Sequence, residues 1–292
     1  MIWWHAVLLG LVEGITEFLP VSSTGHLILT AAILGLDTPE YKRSVDDFNV
    51  IIQGGAILAV LGLYWPRVLQ MLRGLLGRDP AGFALLLNLF IAFLPAAVLG
   101  LLLNKHIKQH LFHPTPVVLA LALGGMFMIY LDLRRTGRLA LSPYSAKDIT
   151  DLSPLDALKI GLLQCVAMWP GTSRSMMTIS GGVLVGLKPA AAAEFSFLLG
   201  LPTLGAACLY VLANTLHHSH RDGVPNVFED LGYANALIGI VIAALSAALA
   251  VRWLVGFLNR HGLVAFGIYR LVLAAVLAAL AASGYLTIAP ST

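Results

Sequence analysis

Glu13 and Glu17 stand four residues apart in EGITEFLPVSSTGH, residues 13–26, a spacing that puts both carboxyls on one face of a helix. The stretch around them is apolar, so an ionised pair there demands a proton, a cationic side chain or a divalent cation with oxygen ligands. Ser22, Ser23 and Thr24 follow Pro20 and open a second helical segment, where free backbone amides and the helix dipole favour an anion. The same hydroxyls are good helix caps, which is their purely structural reading. His26 lies three residues after Ser23 on roughly the same face, with the chemistry of a nucleophile or general acid, or of a satisfied polar side chain. A second motif, PGTSRS at 170–175, repeats the proline and hydroxyls as Thr172, Ser173 and Ser175 and adds Arg174. A guanidinium presents a planar fork of donors that matches phosphate oxygens, although it also pairs with a buried acid for stability alone. One arginine cannot balance two carboxylates and an anionic substrate. A Mg²⁺ or Ca²⁺ ion on Glu13 and Glu17 is therefore expected during turnover. Gln53 is placed beside this phosphate-handling constellation by its position in the first full span.

The composition says what surrounds these residues. Of 292 residues, 58% are hydrophobic and 11% charged, with a mean hydropathy of +0.85, against about a quarter charged in a soluble domain. A bilayer is the solvent this implies, and the apolar segments run from end to end as one membrane domain, 1–292. The net charge of +3 is spread over short loops without a dense basic run, so nucleic acid is not an expected partner. Cys165 and Cys208 lie in apolar segments without CxxC spacing and read as small buried hydrophobes. The first twenty residues lack a basic leader and contain two glutamates, so they are kept as part of the mature fold.

A bilayer-crossing helix needs about 20 apolar residues, and segments 45–64, 83–103, 115–133, 190–213, 233–258 and 264–288 qualify. Regions 1–36 and 154–187 are apolar but broken, at Pro20 and at Pro170-Gly171, and read as re-entrant helical hairpins. Irregular backbone at membrane depth is tolerated only where protein or a watery cavity satisfies it, so each break points to a site. The hairpins resemble one another: GLVEGITEFLPVSSTG and GLLQCVAMWPGTSRS pair Pro20 with Pro170 and Ser23 with Ser173 after one gap. FNVIIQGGAILAVLGLY at 48–64 likewise resembles FSFLLGLPTLGAACLY at 195–210. The fold expected is an all-α integral membrane protein, six full transmembrane helices plus two re-entrant hairpins, in an inverted-topology repeat of about 1–133 and 154–288. Arg67, Arg73, Arg78, Arg134, Arg135, Arg138, Lys147, Lys188 and Arg260 fall on one side, outnumbering Lys42, Arg43, Lys105, Lys108 and Arg221 on the other. The richer side should be cytoplasmic, which puts both termini outside. Hairpins entering from opposite faces would then meet tip to tip near the midplane.

Other polar clusters read as bystanders. His217, His218, Ser219 and His220 suggest a solvated outside loop, as do Lys105, His106, Lys108, His110 and His113, while Glu194 suggests a helix start.

ExxxE followed by FLPVSSTGH, together with PGTSRS, closely resembles the undecaprenyl-diphosphate phosphatase family of bacteria, known also for bacitracin resistance, over nearly the whole chain. The resemblance implies removal of the terminal phosphate from undecaprenyl diphosphate, regenerating the lipid carrier of peptidoglycan and other envelope polymers in the bacterial inner membrane. By motif position it implies Glu13 and Glu17 as the acidic pair, Ser22 to His26 as the hydroxyl and histidine segment, and Arg174 as the phosphate-binding arginine. It leaves open whether Ser23, His26 or water attacks. In the working mechanism Ser23 attacks, Glu17 assists, and His26 is leaving-group acid or alternative nucleophile. The expected partners are the polyprenyl diphosphate and membrane lipids, with a homodimer possible. A transporter or flippase of polyprenyl phosphate is the alternative, because midplane half-helices are also a transporter pattern.

Overall fold

The computed structural model describes residues 1–111, 114–138, 146–223 and 226–283, and nearly all of them are helical. The order is α1 (Trp3–Thr16), α2 (Ser23–Ile33), α3 (Pro39–Leu63), α4 (Trp65–Leu75), α5 (Pro80–Leu111) and α6 (Pro114–Arg135). After a 3₁₀ turn at Ile149–Asp151 come α7 (Pro154–Val166), α8 (Arg174–Leu184), α9 (Pro189–Asp222), α10 (Val227–Leu231), α11 (Tyr233–His261) and α12 (Val264–Ala282). Among the described residues six helices, α3, α5, α6, α9, α11 and α12, are long and apolar enough to cross a membrane. They coincide with the six expected spans, and the chain fits a multi-pass membrane protein. The end of the last expected span, beyond residue 283, lies outside the described residues.

Both broken regions form a helix, a short turn and a second helix. In each, one serine opens the second helix with a positive φ of 75°, Ser22 before α2 and Ser173 before α8. Its hydroxyl caps that helix by accepting the amide of Gly25 or of Met176.

Helix α1 lies against α11, and α7 lies against α5. Small residues bring both pairs close: a Cβ on Gly10 would stand 2.6 Å from the Gly239 carbonyl oxygen, and one on Gly161 would stand 2.4 Å from that of Ala92. Helix α6 crosses α12 reciprocally, since a Cβ on either Gly125 or Gly267 would meet the other's carbonyl oxygen at 2.7 Å. The main core, with Phe18, Met176, Phe195, Phe197 and Leu254, sits between the two hairpins and the spans around them.

Several polar stretches that read as loops are helical. Residues 105–111 extend α5, and residues 217–222 extend α9, so the histidine groups there are helix ends; His113 lies outside the described residues. A polar sequence can continue the backbone of an apolar helix, which hydropathy alone does not register. The stretch 65–82 contains α4, an amphipathic helix with Trp65, Leu72 and Leu75 exposed and Met71 buried. Glu194 lies a full turn inside α9 and pairs with Arg67 of α4 at 2.7 Å, so it ties those helices together and does not merely start one. Both cysteines are free and half-buried, each donating to a backbone carbonyl.

Candidate functional site

The two motifs meet. Ser175 Oγ, in the second hairpin, donates to the Leu19 carbonyl in the turn of the first at 2.8 Å. The guanidinium of Arg174 reaches across at the same level, its Nη2 3.3 Å from Glu17 Oε1. The other oxygen of that carboxylate, Oε2, accepts the Ser23 hydroxyl at 2.8 Å. Glu17 thus stands between the hydroxyl of one hairpin and the guanidinium of the other. Both charged side chains are nearly buried, at 6% and 9% exposure, so the pairing acts in a medium where an unpaired charge is costly.

Arg174 is held from three sides. Nη1 donates to the Ser196 carbonyl at 2.9 Å, and the guanidinium sits over the Phe18 ring, 5.5 Å from its centroid. Thr178, one turn beyond, donates to the Arg174 carbonyl at 2.9 Å and shares a 2.6 Å hydrogen bond with the Ser196 hydroxyl. Gly200 leaves room for the fork, since a Cβ there would stand 3.2 Å from both Nη atoms. Nε is buried and has no hydrogen-bond partner.

Glu13 is fully buried, and neither carboxyl oxygen has a hydrogen-bond donor. Its nearest charged neighbours are Glu17 and Arg174. Two carboxylates facing one guanidinium leave one negative charge over, so a proton or a cation with oxygen ligands must complete the balance. Orphaned buried oxygens fit such a cation. No group of three or more histidine, cysteine or acidic side chains gathers to hold a metal among the described residues.

The remaining expected residues divide. Ser22 and Ser173 serve as helix caps, and Ser173 Oγ lies 3.0 Å from Ser175 Oγ. Thr172 is buried in the turn and Thr24 is exposed at the start of α2. Gln53 is half-buried on α3, and no hydrogen bond joins it to the acids, Ser23 or Arg174. His26 makes no hydrogen bond to the acid pair: its Nδ1 lies 2.7 Å from the Ser22 carbonyl oxygen and its Nε2 2.6 Å from Tyr269 Oη.

The matched caps correct the gapped pairing of the hairpins. Ser22, not Ser23, shares the geometry of Ser173, and an ungapped register then pairs Pro20 with Gly171, Ser23 with Arg174 and Glu13 with Gln164. The prolines misled because the cap, where the chain must reverse at positive φ, sets the register, and a proline fits several places in the turn.

Sequence reading missed Arg270. It is fully buried in α12 and donates to the carbonyls of Gly171 at 3.0 Å and Ala120 at 3.1 Å, with a longer contact of 3.5 Å to Pro20. Pro20 and Gly171 are the paired turn positions, so a single guanidinium holds both tips. The signal was present: a lone arginine in the apolar run AFGIYRLVLAAVLAALAA is a functional candidate by default. Ser196, Thr178 and Tyr269 carried no comparable signal, because hydroxyls in apolar helices are common.

The sequence model described as Bacitracin resistance protein BacA matches residues 6–276. The chain is 46% identical over 279 residues to undecaprenyl-diphosphatase 2 of Rhodospirillum rubrum, covering 96% of this chain and 95% of that protein. To the undecaprenyl-diphosphatase of Sorangium cellulosum it is 45% identical over 276 residues, 94% of this chain and 85% of that one. A further undecaprenyl-diphosphatase, from Acidovorax ebreus, is 42% identical over 283 residues, with 97% and 96% covered.

Proposed function

Because the chain belongs to the bacitracin resistance protein BacA family, we propose that it hydrolyses undecaprenyl diphosphate to undecaprenyl phosphate and inorganic phosphate. The observation that carries this reading is the chain of contacts from Ser23 through Glu17 to Arg174, a hydroxyl hydrogen-bonded to a carboxylate that an arginine orients. That is the arrangement of an activated nucleophile.

In the reaction, Ser23 Oγ attacks the terminal phosphorus and gives its proton to Glu17. The bond from that phosphorus to the bridging oxygen breaks, and undecaprenyl phosphate leaves with the bridging oxygen. Water then attacks the phosphoseryl phosphorus, inorganic phosphate departs, and Ser23 recovers a proton. Arg174 meets the charge on the transferring group with its guanidinium. Glu13 and Glu17 would hold a divalent cation, and when bound it supplies positive charge to the diphosphate oxygens. The amides of Ser23 and Thr24 open α2 without intrahelical acceptors, which suits them to phosphate oxygens.

The inverted-topology repeat belongs to the same reading. Three observations support it: the equal φ of the two cap serines, the reciprocal approach of Gly125 and Gly267, and the packing of each hairpin on a span of the other half. Under that symmetry the hairpins enter from opposite faces of the bacterial inner membrane with both termini outside, and a homodimer is compatible with the exposed apolar helix faces.

The test is phosphate release from a detergent-solubilised polyprenyl diphosphate by the purified full chain. Release that stops in Ser23→Ala supports the mechanism, while wild-type release in that variant moves the attack to His26 or water. Full activity in excess chelator would remove the cation. A carrier of polyprenyl phosphate has no use for the Ser23–Glu17 bond, and would bind the lipid and move it across a vesicle without releasing phosphate.

A further inference from the structure

Both ring nitrogens of His26 are engaged, and the chemistry of their partners fixes where the protons sit. The Ser22 carbonyl oxygen has no proton to give, so Nδ1, 2.7 Å away, carries the hydrogen and donates it. In the neutral ring the lone pair is then on Nε2. That nitrogen lies 2.6 Å from Tyr269 Oη, so the phenol donates and the imidazole accepts. The two rings are parallel to within 4°, with centroids 5.7 Å apart.

The place of Tyr269 in the fold makes this more than an incidental contact. It precedes Arg270, the residue that holds the turn carbonyls of both hairpins, so α12 is fastened to the site and carries the phenol at a fixed height beside α2. His26 is half-buried and Tyr269 is 46% exposed, so the pair lies at the surface of the described helices, four residues and one helical turn from the Ser22 cap. Nδ1 is committed to the helix's own cap. Only Nε2 is left to meet a substrate, and Tyr269 occupies it.

We propose that Tyr269 is a positioning residue for His26. It selects the Nδ1–H tautomer jointly with the Ser22 carbonyl, holds the Nε2 lone pair in place, and yields that nitrogen when the diphosphate arrives. The proposal rests on the reading of His26 as a group that acts on the diphosphate. It also narrows that role, because a neutral ring with its lone pair on Nε2 is built to accept a proton or attack, and serves as an acid only after gaining a proton.

The experiment is Tyr269→Phe in the full-length protein, alone and with His26→Ala, assayed for phosphate release alongside ¹⁵N spectra of labelled histidine. Removing the hydroxyl of an orienting partner should lower kcat on the order of tenfold to a hundredfold, with KM little changed. In the His26→Ala background the same substitution should add nothing, since its effect runs through the imidazole. The wild-type spectrum should place the His26 hydrogen on Nδ1, and Tyr269→Phe should move only the Nε2 resonance. An unchanged kcat in Tyr269→Phe, or an equal loss in both backgrounds, overturns the proposal, as does a neutral ring protonated on Nε2. If His26→Ala itself turns over at the wild-type rate while the Nε2 resonance still shifts, the assignment of His26 to the reaction is what fails.

Discussion

At the residue scale the acids are unequal in a way their spacing does not convey. Glu17 is satisfied on both oxygens, by Ser23 and Arg174, whereas Glu13 is equally buried and has no donor. A carboxyl held in an apolar interior beside a second carboxyl is retained at a cost to stability, a pattern found at functional sites. Glu13→Gln keeps the shape and removes the ionisable group. It is expected to leave the thermal unfolding midpoint in detergent unchanged or raised, while phosphate release falls by about a hundredfold or more. A variant that loses stability and keeps turnover would make Glu13 a structural residue. The same contrast explains what the sequence told of the site. Glu13, Glu17 and Arg174 were legible because charge in an apolar stretch is conspicuous, but which of the two acids is paired depends on which oxygen meets which donor. That is set by the turn geometry, which one-letter patterns do not carry.

At the element scale the two turns hold the most strained backbone in the described chain. Ser22 and Ser173 adopt φ of 75° with ψ of 96° and 122°, a region that costs a residue with a Cβ roughly 1–3 kcal/mol. Glycine would fit there without that cost, so the serine hydroxyl must return something. Part of the return is the cap, about 1 kcal/mol, and for Ser173 also the contact with Ser175. Substitution with alanine loses the cap and keeps the strain, while substitution with glycine loses the cap and relieves the strain. The glycine variants at 22 and 173 are therefore expected to unfold at higher temperature than the alanine variants, by the equivalent of about 1 kcal/mol or more. Equal midpoints would mean that the serines are not strained. Both glycine variants should still lose turnover, because a freer turn no longer fixes Ser23 and Arg174, the residues that follow. The two helix–turn–helix units were readable from apolar lengths interrupted at Pro20 and Pro170, and so were the six long apolar helices. The register between the hairpins was not, because the positive φ that defines it sits on serine, a residue that does not advertise it.

At the scale of the whole molecule the question is from which side each hairpin enters. Arg67, Arg73, Arg134, Arg135, Lys147, Lys188 and Arg260 lie toward one end of the spans, and Lys159 and Arg252, within helices, extend the same bias. The second hairpin begins at that end, at Pro154, close to the ion pairs of Lys147 with Asp156 and Lys188 with Asp148. The first hairpin begins at Trp3, and its α1 runs along α11 as α7 runs along α5. If the halves are inverted, the mouths of the two hairpins face opposite compartments although their tips share one site. Ile2 and Leu155 mark those mouths, at 54% and 61% exposure. Cys165 and Cys208 donate only to backbone carbonyls, so replacing both with alanine should leave a background in which single cysteines can be read. In that background Ile2→Cys is expected to react with a membrane-impermeant maleimide added to intact cells, and Leu155→Cys only in inverted vesicles. Labelling of both from the same face would bring the hairpins in from one side. The tip contacts would then stand without an inverted repeat, and the cap serines would be a local likeness only.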